Sequence, residues 1–388
     1  MPRKSLEVMV EPEVLKWARE SVDMDIQTVT KKLKVSEENL SKWESGQKKP
    51  TLIQIEKLAE IYKRPLAVFF LPSPPEKPPL LKDFRSLPLE QKKPFSFKTH
   101  LAIRRARRLQ SLTIEMAKSL NREIISQISR VNLSDDPEVV AIRIREQLGV
   151  KIQTQLLDWK NENDALNGWT RVIENLGILV FQMSMPLEEI RGFSLTEGEI
   201  PAIVLNFSDV INGKIFSLFH EYAHLLLNAG GICDMGDQDY QSKESRSIEK
   251  FCNHFAGAIL VPKDALLNHE LIGSKRYPSE WSDEILKELA KNFRVSQEVI
   301  LRRLVILKLA AADFYKRKRA EWQGKGKPKG WGPPNPPKKC VQENGVPFVS
   351  LVLETHREEK ITYSDVADYL AIRLKYLPQI EQLIKGKV

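Results

Sequence analysis

Two proline-rich stretches limit what this chain can fold into. They are PSPPEKPPL at 72–80 and GKGKPKGWGPPNPPKK at 324–339. Because proline fixes its own backbone and restricts the residue before it, neither stretch suits an ordinary helix or a central strand. We therefore expect a linker around the first stretch and an extended basic strap around the second.

These stretches predict several separate domains, which suits a chain of 388 residues. The head shows apolar residues at helical spacing throughout, and so does the shorter tail. The predicted parts are a helical head at 1–71, a linker at 72–96, a middle domain at 97–323, a strap at 324–344 and a small helical C-terminal unit at 345–388.

The composition excludes several classes of protein. With 42% hydrophobic and 29% charged residues, the chain is neither disordered nor fibrous. It has no apolar run of the ~18 residues that a membrane span needs, and its N-terminus lacks the pattern of a secretory signal. Its cysteines, Cys233, Cys252 and Cys340, are odd in number and widely spaced, which indicates a reducing compartment. We expect a cytoplasmic protein without membrane contact, in which Cys252 packs in the core.

The periodicity of the apolar residues changes within the middle domain. In the head, Ser36 and Thr51 stand where helix caps belong. The middle domain begins with helical patterns and then shows short apolar runs at 178–182, 192–196 and 202–206, which predict three strands. Another helical pattern follows the third strand. Helices before and after a small three-stranded sheet define an α+β fold.

The helical pattern after the third strand contains His-Glu-Tyr-Ala-His at 220–224. Residues four apart share one face of a helix, so His220 and His224 can bind one metal ion. Glu221 lies beside them and could take a proton from a water molecule on the open side of that metal. Apolar flanks predict a buried helix rather than an exposed one with incidental histidines. Neutral imidazole suits zinc, and a hydrolytic zinc site requires a third protein ligand.

A second helical pattern, at 247–262, offers the third ligand. Glu249 lies near its start, and two packed helices would complete a site of two histidines and one glutamate for a single catalytic zinc ion. Asn253 lies one turn beyond Glu249 and could support it. Glu244 and His254 are the alternatives. Glu244 precedes the apolar pattern and His254 is off the face of Glu249, so we prefer Glu249.

The segment FSLFHEYAHLLL, preceded by RGFSL and PAIVLN and followed by IEKFCNHFAGAILVP, resembles the ImmA/IrrE family of bacterial and phage metallopeptidases. The resemblance spans about 170–265. It implies a zincin-like core in which His220, His224 and Glu249 bind zinc and Glu221 is the general base. It also implies a regulatory endopeptidase whose protein substrate is a helix-turn-helix repressor, cleaved in stress, prophage or mobile-element control.

The head resembles the XRE (Cro/C1-type) helix-turn-helix domain over almost its full length. The run W-E-x-G-x-x-x-P at 43–50 is specific for that family. The resemblance implies a second helix at 26–33 and a recognition helix at about 37–45, whose N-terminal side chains enter the DNA major groove. The residues at those positions are Glu37, Glu38, Asn39, Ser41 and Lys42.

The charge of the head leaves its partner open. Residues 1–71 carry thirteen basic and eleven acidic residues, a net charge of only +2. Two carboxylates on the recognition helix would oppose DNA phosphates, although glutamate can accept a hydrogen bond from cytosine N4. Binding of double-stranded DNA and a protein-binding or self-associating role are both compatible with this pattern.

Residues 301–340 concentrate the positive charge. They hold twelve Lys or Arg against Asp313 and Glu321, a net charge of +10, whereas the whole chain carries +9. The segment is either an ordinary basic surface helix or a strap that contacts phosphates. The residues expected to contact DNA in the second case are Lys316, Arg317, Lys318 and Arg319.

Two functions therefore remain. The first is a zinc-dependent endopeptidase that hydrolyses a peptide bond in a protein substrate. The second is a DNA-binding transcriptional regulator or antitoxin whose peptidase core acts as a sensor or scaffold. The complete set of His220, Glu221, His224 and Glu249 favours the first, because drift in an inactive core would strike one of the four.

Overall fold

The computed structural model describes residues 6–75, 95–228, 243–273, 280–322 and 335–385. Most of the predicted linker, the first part of the predicted strap and Cys233 therefore lie outside the described residues. The chain divides into two compact units, with the described residues up to Arg105 in the first and those from Ala106 onward in the second. No helix in the described ranges is long and apolar enough to cross a membrane.

The first unit is a small bundle of helices. Its helices are α1 (Pro12–Glu20), α2 (Ile26–Leu33), α3 (Glu37–Glu44), α4 (Leu52–Tyr62) and the beginning of α5 (Phe97–Ser119), with a 3-10 turn at Leu66–Phe70. The predicted second and recognition helices agree with α2 and α3. Both predicted caps are confirmed: the Ser36 hydroxyl accepts from the backbone of Asn39, and Thr51 forms a reciprocal capping box with Gln54.

The W-E-x-G motif of the head serves packing. Trp43 is buried in the core of the unit, and Glu44 accepts two hydrogen bonds of 2.8 Å from Arg19 of α1. Gly46 has a φ of +77°, and a Cβ there would lie 3.1 Å from the Pro12 side chain. The motif therefore holds the end of α3 against α1.

The second unit is α+β, as predicted, with helices around one small sheet. Its elements, after the rest of α5, are α6 (Pro137–Gln147), a π-helix (Thr154–Asp158), α7 (Glu162–Glu174), β1 (Leu179–Met183), β2 (Gly192–Leu195), β3 (Ala202–Asn206), α8 (Ile211–Leu227), α9 (Lys243–Leu260), α10 (Lys263–Leu267), α11 (Asp283–Phe293), α12 (Gln297–Ile306), α13 (Ala312–Trp322), α14 (Pro336–Asn344), α15 (Val346–Arg357), α16 (Tyr363–Tyr369), a 3-10 turn (Leu374–Tyr376) and α17 (Leu377–Lys385).

The three predicted strands form one sheet in the order β1-β3-β2. β1 runs parallel to β3, with Leu179 opposite Ala202, and β2 runs antiparallel to β3, with Leu195 opposite the same Ala202. Every residue of the three strands is buried, because helices cover the sheet. β3 leads directly into α8, which packs on β2 and β3.

Residues 335–344 differ from the extended strap that the sequence predicts. They form helix α14, whose N-cap Asn335 accepts from the backbone of Lys338. The expectation is wrong for these residues. Proline is tolerated in the first turn of a helix, because a backbone N–H at that position would have no intrahelical partner and its absence costs nothing. Gly345 then allows a close approach to the sheet, since a Cβ there would lie 2.6 Å from the Val180 carbonyl oxygen of β1.

The C-terminal end of α9 is held by three buried side chains from three different elements. The bonds run from Arg145 Nη1 to Ile259 O (2.6 Å), from Gln155 Nε2 to Leu260 O (2.9 Å) and from Arg303 Nε to Val261 O (3.0 Å). Carbonyl groups at the end of a helix have no intrahelical partner, and cations suit the negative end of the helix dipole. These bonds therefore fix the helix that carries Glu249.

Candidate metal centre

Helix α8 lies in the interior of the second unit. Every residue from Lys214 to Leu226 is buried, including His220, Glu221 and His224. This agrees with the apolar flanks of the motif. Three ionisable side chains in an apolar interior must be satisfied there, because burying an unpaired charge or polar group is costly.

The donor atoms of two histidines and one glutamate lie around a single point. The distance from His220 Nε2 to His224 Nε2 is 3.1 Å. His220 Nε2 lies 3.4 Å from Glu249 Oε2, and His224 Nε2 lies 3.4 Å from the other carboxylate oxygen, Oε1. In a tetrahedral zinc site, bonds of about 2.0–2.1 Å separate neighbouring ligand atoms by about 3.3 Å. The spacing and the chemistry of the donors both fit a zinc ion.

Glu249, rather than its two competitors, completes the group. Among the described residues, His220, His224 and Glu249 form the one cluster whose donor atoms could hold a metal ion together. Glu244 lies exposed in the first turn of α9. His254 faces elsewhere, because its Nε2 lies 2.7 Å from a carboxylate oxygen of Glu138 in α6.

Strand β2 contacts the predicted general base, a feature that the sequence analysis missed. The hydroxyl of Ser194 donates a 3.1 Å hydrogen bond to Glu221 Oε2. A Cβ at Gly192, two residues earlier on the same face, would lie 3.4 Å from Glu221 Cγ. A serine inside a short apolar strand that precedes the histidine helix was the available signal.

Asn253 contacts Glu249 through the backbone of that residue. Its amide nitrogen donates to the backbone carbonyl of Glu249 at 2.8 Å, and no bond to the Glu249 carboxylate accompanies it among the described contacts. The i to i−4 spacing explains this geometry, because that carbonyl lies directly below the Asn253 side chain on the helix. Any support that Asn253 gives to Glu249 therefore acts through the backbone carbonyl of Glu249, and not through its carboxylate.

The predicted DNA-reading residues lie on the outer side of α3 and interact with one another. Lys42 Nζ lies 2.6 Å from a carboxylate oxygen of Glu38, and Lys48 donates a 3.0 Å hydrogen bond to the Asn39 side chain. Other side chains of the set, Glu37 and Ser41, are exposed. The charges of Glu38 and Lys42, an i, i+4 pair, therefore compensate each other on this face of the helix.

The basic residues of α13 each have an acidic neighbour. The pairs are Lys316 with Asp313 (3.7 Å), Arg317 with Glu280, Lys318 with Asp283 and Glu321 (3.0 Å each), and Arg319 with Glu298 (3.7 Å). Most of these carboxylates are distant in sequence. That these four contact DNA stays a prediction, and the pairs favour the simpler interpretation as an ordinary surface helix.

Fold and site together define a helix-turn-helix domain followed by a metallopeptidase domain. Residues 173–305 match the family model of peptidase M78, described as the IrrE N-terminal-like domain, and residues 15–69 match a family model described as helix-turn-helix. The resemblance of both parts is thereby confirmed. No curated protein matches the chain.

Zinc affinity should depend on Glu249 and not on Glu244. We expect one zinc ion per wild-type chain, and a Glu249→Gln variant that binds at least about a hundredfold more weakly, because even partners outside the ligand shell contribute ten- to a hundredfold. Metal analysis after dialysis and competition with a chromophoric chelator measure this. The matched control, Glu244→Gln, should bind like the wild type. Undiminished binding by Glu249→Gln would assign the third ligand elsewhere.

Proposed function

We propose that this chain is a zinc-dependent endopeptidase of the regulatory type. The observation that carries the proposal is the cluster of His220, His224 and Glu249 donor atoms, 3.1–3.4 Å apart, with Glu221 on the same buried helix. Structural zinc sites are closed by four protein ligands, whereas three leave a position for chemistry.

The residues divide the work of hydrolysis between them. A zinc ion supplies Lewis acidity, which polarises a carbonyl group and acidifies a water molecule. Glu221 takes the proton of the attacking water and delivers it to the leaving amine nitrogen. His220, His224 and Glu249 would hold the metal, and the burial of α8 keeps His220, Glu221 and His224 in fixed positions.

The proposed substrate is a protein, namely a helix-turn-helix repressor in stress, prophage or mobile-element control. Support comes from the resemblance to ImmA/IrrE peptidases and from the helix-turn-helix domain in the same chain. Such a regulator would act in the cytoplasm. Self-association through the head is a further part of this proposal.

The decisive experiment uses the purified full-length chain, loaded with zinc and mixed with the repressor encoded beside its own gene. We expect one or a few defined fragments, identified by mass spectrometry, and no cleavage after zinc is removed by a chelator. Zinc return should restore cleavage. An intact repressor in the presence of the zinc-loaded chain, together with intact casein as a general substrate, would contradict the proposal.

A second candidate function, DNA-binding regulation, is favoured by the exposed outer side of α3. We expect weak binding of double-stranded DNA, because the head carries a net charge of only +2, and we expect salt to weaken it further, because any phosphate contacts release counterions. Lys42→Ala should change the sequence preference, since this residue lies on the predicted recognition helix. Selection of binding sequences from a random pool, repeated with the variant, measures the change. An identical selected sequence would place the base contacts elsewhere.

The α13 cations give a separate prediction for DNA binding. Each phosphate contact contributes about 0.9 to the slope of log K against log salt. Replacing Lys316, Arg317, Lys318 and Arg319 together by Gln should change that slope by less than about one, because carboxylates already neutralise them. Anisotropy titrations at several salt concentrations decide this, and a decrease of three or more would show that the α13 cations contact DNA.

A further inference from the structure

One face of β2 is shaped around Glu221. Ser194 and Gly192 are two residues apart, and alternate residues of a strand share a face, so both point toward the same side of the sheet. Ser194 is 5% exposed and Glu221 1% exposed, and the bond between Ser194 Oγ and Glu221 Oε2 measures 3.1 Å. This hydrogen bond therefore lies in the interior, where it is stronger than at the surface.

We propose that Ser194 is a positioning residue that fixes the orientation of the Glu221 carboxylate. The inference rests on the proposed function, since it assigns a role within that reaction. Glutamate has three rotatable bonds, and a base must hold its oxygen within hydrogen-bond reach of the proton that it takes. A hydroxyl that binds one carboxylate oxygen restricts the rotation of the whole group.

The bond joins the Ser194 hydroxyl to Oε2 of Glu221, so Oε2 is the anchored oxygen and the position of the whole carboxylate follows from it. The Ser194 hydroxyl donates to the ionised carboxylate and keeps its own proton throughout. After transfer, the Glu221 carboxyl group carries the proton until the leaving amine receives it.

Gly192 provides the space that this arrangement requires. A Cβ at this position would lie 3.0 Å from the Val204 carbonyl oxygen and 3.4 Å from Glu221 Cγ. The first distance is tighter than ordinary van der Waals contact, so an added methyl group would move β2, β3 or the glutamate. The strand thus presents a hydrogen atom and a hydroxymethyl group to Glu221.

The test compares three replacements of Ser194 in the zinc-loaded full-length chain. Cysteine keeps the size but is a weak donor, alanine removes the donor, and threonine keeps the hydroxyl. We expect kcat for repressor cleavage to fall about ten- to a hundredfold in Ser194→Cys and Ser194→Ala, as for the loss of a hydrogen bond to a charged group, with KM little changed. Ser194→Thr should recover most of the rate.

A matched control and a binding measurement separate positioning from packing. Leu195→Val perturbs the opposite face of the same strand and should keep the wild-type kcat. Acetohydroxamic acid, whose hydroxyl proton is available to Glu221, gives a readout without turnover. We expect Ser194→Cys and Glu221→Gln each to weaken its binding by calorimetry, and the double variant to bind no more weakly than Glu221→Gln alone, because the two act as one unit. Zinc content should be equal in all of them.

The outcomes distinguish this inference from its premise. A wild-type chain that cleaves no substrate contradicts the proposed function and the inference with it. Wild-type cleavage with a Ser194→Cys kcat within twofold overturns the inference alone. Additive losses in the double variant, a loss in Leu195→Val equal to that in Ser194→Cys, or a Ser194→Thr variant as slow as Ser194→Cys would also overturn it.

Discussion

Glu221→Gln should keep its zinc and lose peptide hydrolysis by about a hundred- to ten-thousandfold, the usual contribution of a general base. The amide has the shape of the carboxylate and can still accept the Ser194 hydrogen bond, but it cannot take a proton. The three proposed metal ligands, His220, His224 and Glu249, are untouched by the change. Initial rates of repressor cleavage and the zinc content of the same samples measure the two effects.

The control for this variant is Glu244→Gln, the same replacement at an exposed position of α9. It should retain both zinc and activity. A Glu221→Gln chain that cleaves at the wild-type rate would show that another group takes the proton. Loss of zinc from Glu221→Gln would instead show that Glu221 is a metal ligand.

Arg303→Met should lower the free energy of unfolding by about 1.5–3 kcal/mol, the usual contribution of hydrogen bonds to a charged group, because Arg303 is buried but its partner Glu138 is 22% exposed. Arg303 is fully buried on α12, where it donates two hydrogen bonds to the Glu138 carboxylate and one to the Val261 carbonyl oxygen. In the variant, the Glu138 carboxylate loses its bonds to Arg303 and keeps its contact with His254. Urea unfolding followed by circular dichroism measures the loss.

The neighbouring Arg302→Met is the matched control for this change. Arg302 is part-exposed and pairs with Glu298, so its loss should cost less than about 1 kcal/mol. A double variant, Arg303→Met with Glu138→Met, should recover part of the stability, because both charges are then removed. Equal stability of Arg303→Met and the wild type would show that the pair contributes nothing net.

The same pair predicts how the fold responds to acid. Burial raises the pKa of Glu138, but hydrogen bonds from His254 and Arg303 outweigh it and lower that pKa to about 2. A carboxyl group with a lowered pKa stabilises the fold above its unfolded-state pKa. Its contribution should therefore be complete above about pH 4.5 and be lost as the pH falls toward 2. Arg303→Met should show a shallower decline over this range.

Helices and strands were predictable where the pattern of apolar residues within a short stretch of sequence indicates them. The runs at 178–182, 192–196 and 202–206 agree with the observed strands to within about one residue at each end. Caps are equally local, and Ser36 and Thr51 act as expected. Helix α14 was not predicted, because two consecutive prolines are compatible both with the first turn of a helix and with an extended segment, and the sequence does not distinguish the two.

The candidate site was predictable where the spacing of residues along a helix determines which side chains share a face. The i, i+4 histidines follow from helical geometry alone, and Glu249 follows from its place on the next helix. The serine was visible as a polar residue inside an apolar strand, but its partner Glu221 was not, because the contact joins residues 27 positions apart through a strand and a helix. The pairing of Arg317 with Glu280, across 37 positions, was hidden for the same reason.

The packing role of the W-E-x-G motif separates two kinds of information in the head. The motif residues Trp43, Glu44 and Gly46 pack α3 against α1. The residues by which such a domain is recognised in a sequence therefore determine its fold. The residues that would choose a target, such as Glu38 and Lys42, face outward and fall outside the motif. Two heads with the same signature can therefore read unrelated operators, or none, and a chain of this kind can change its target without disturbing its fold.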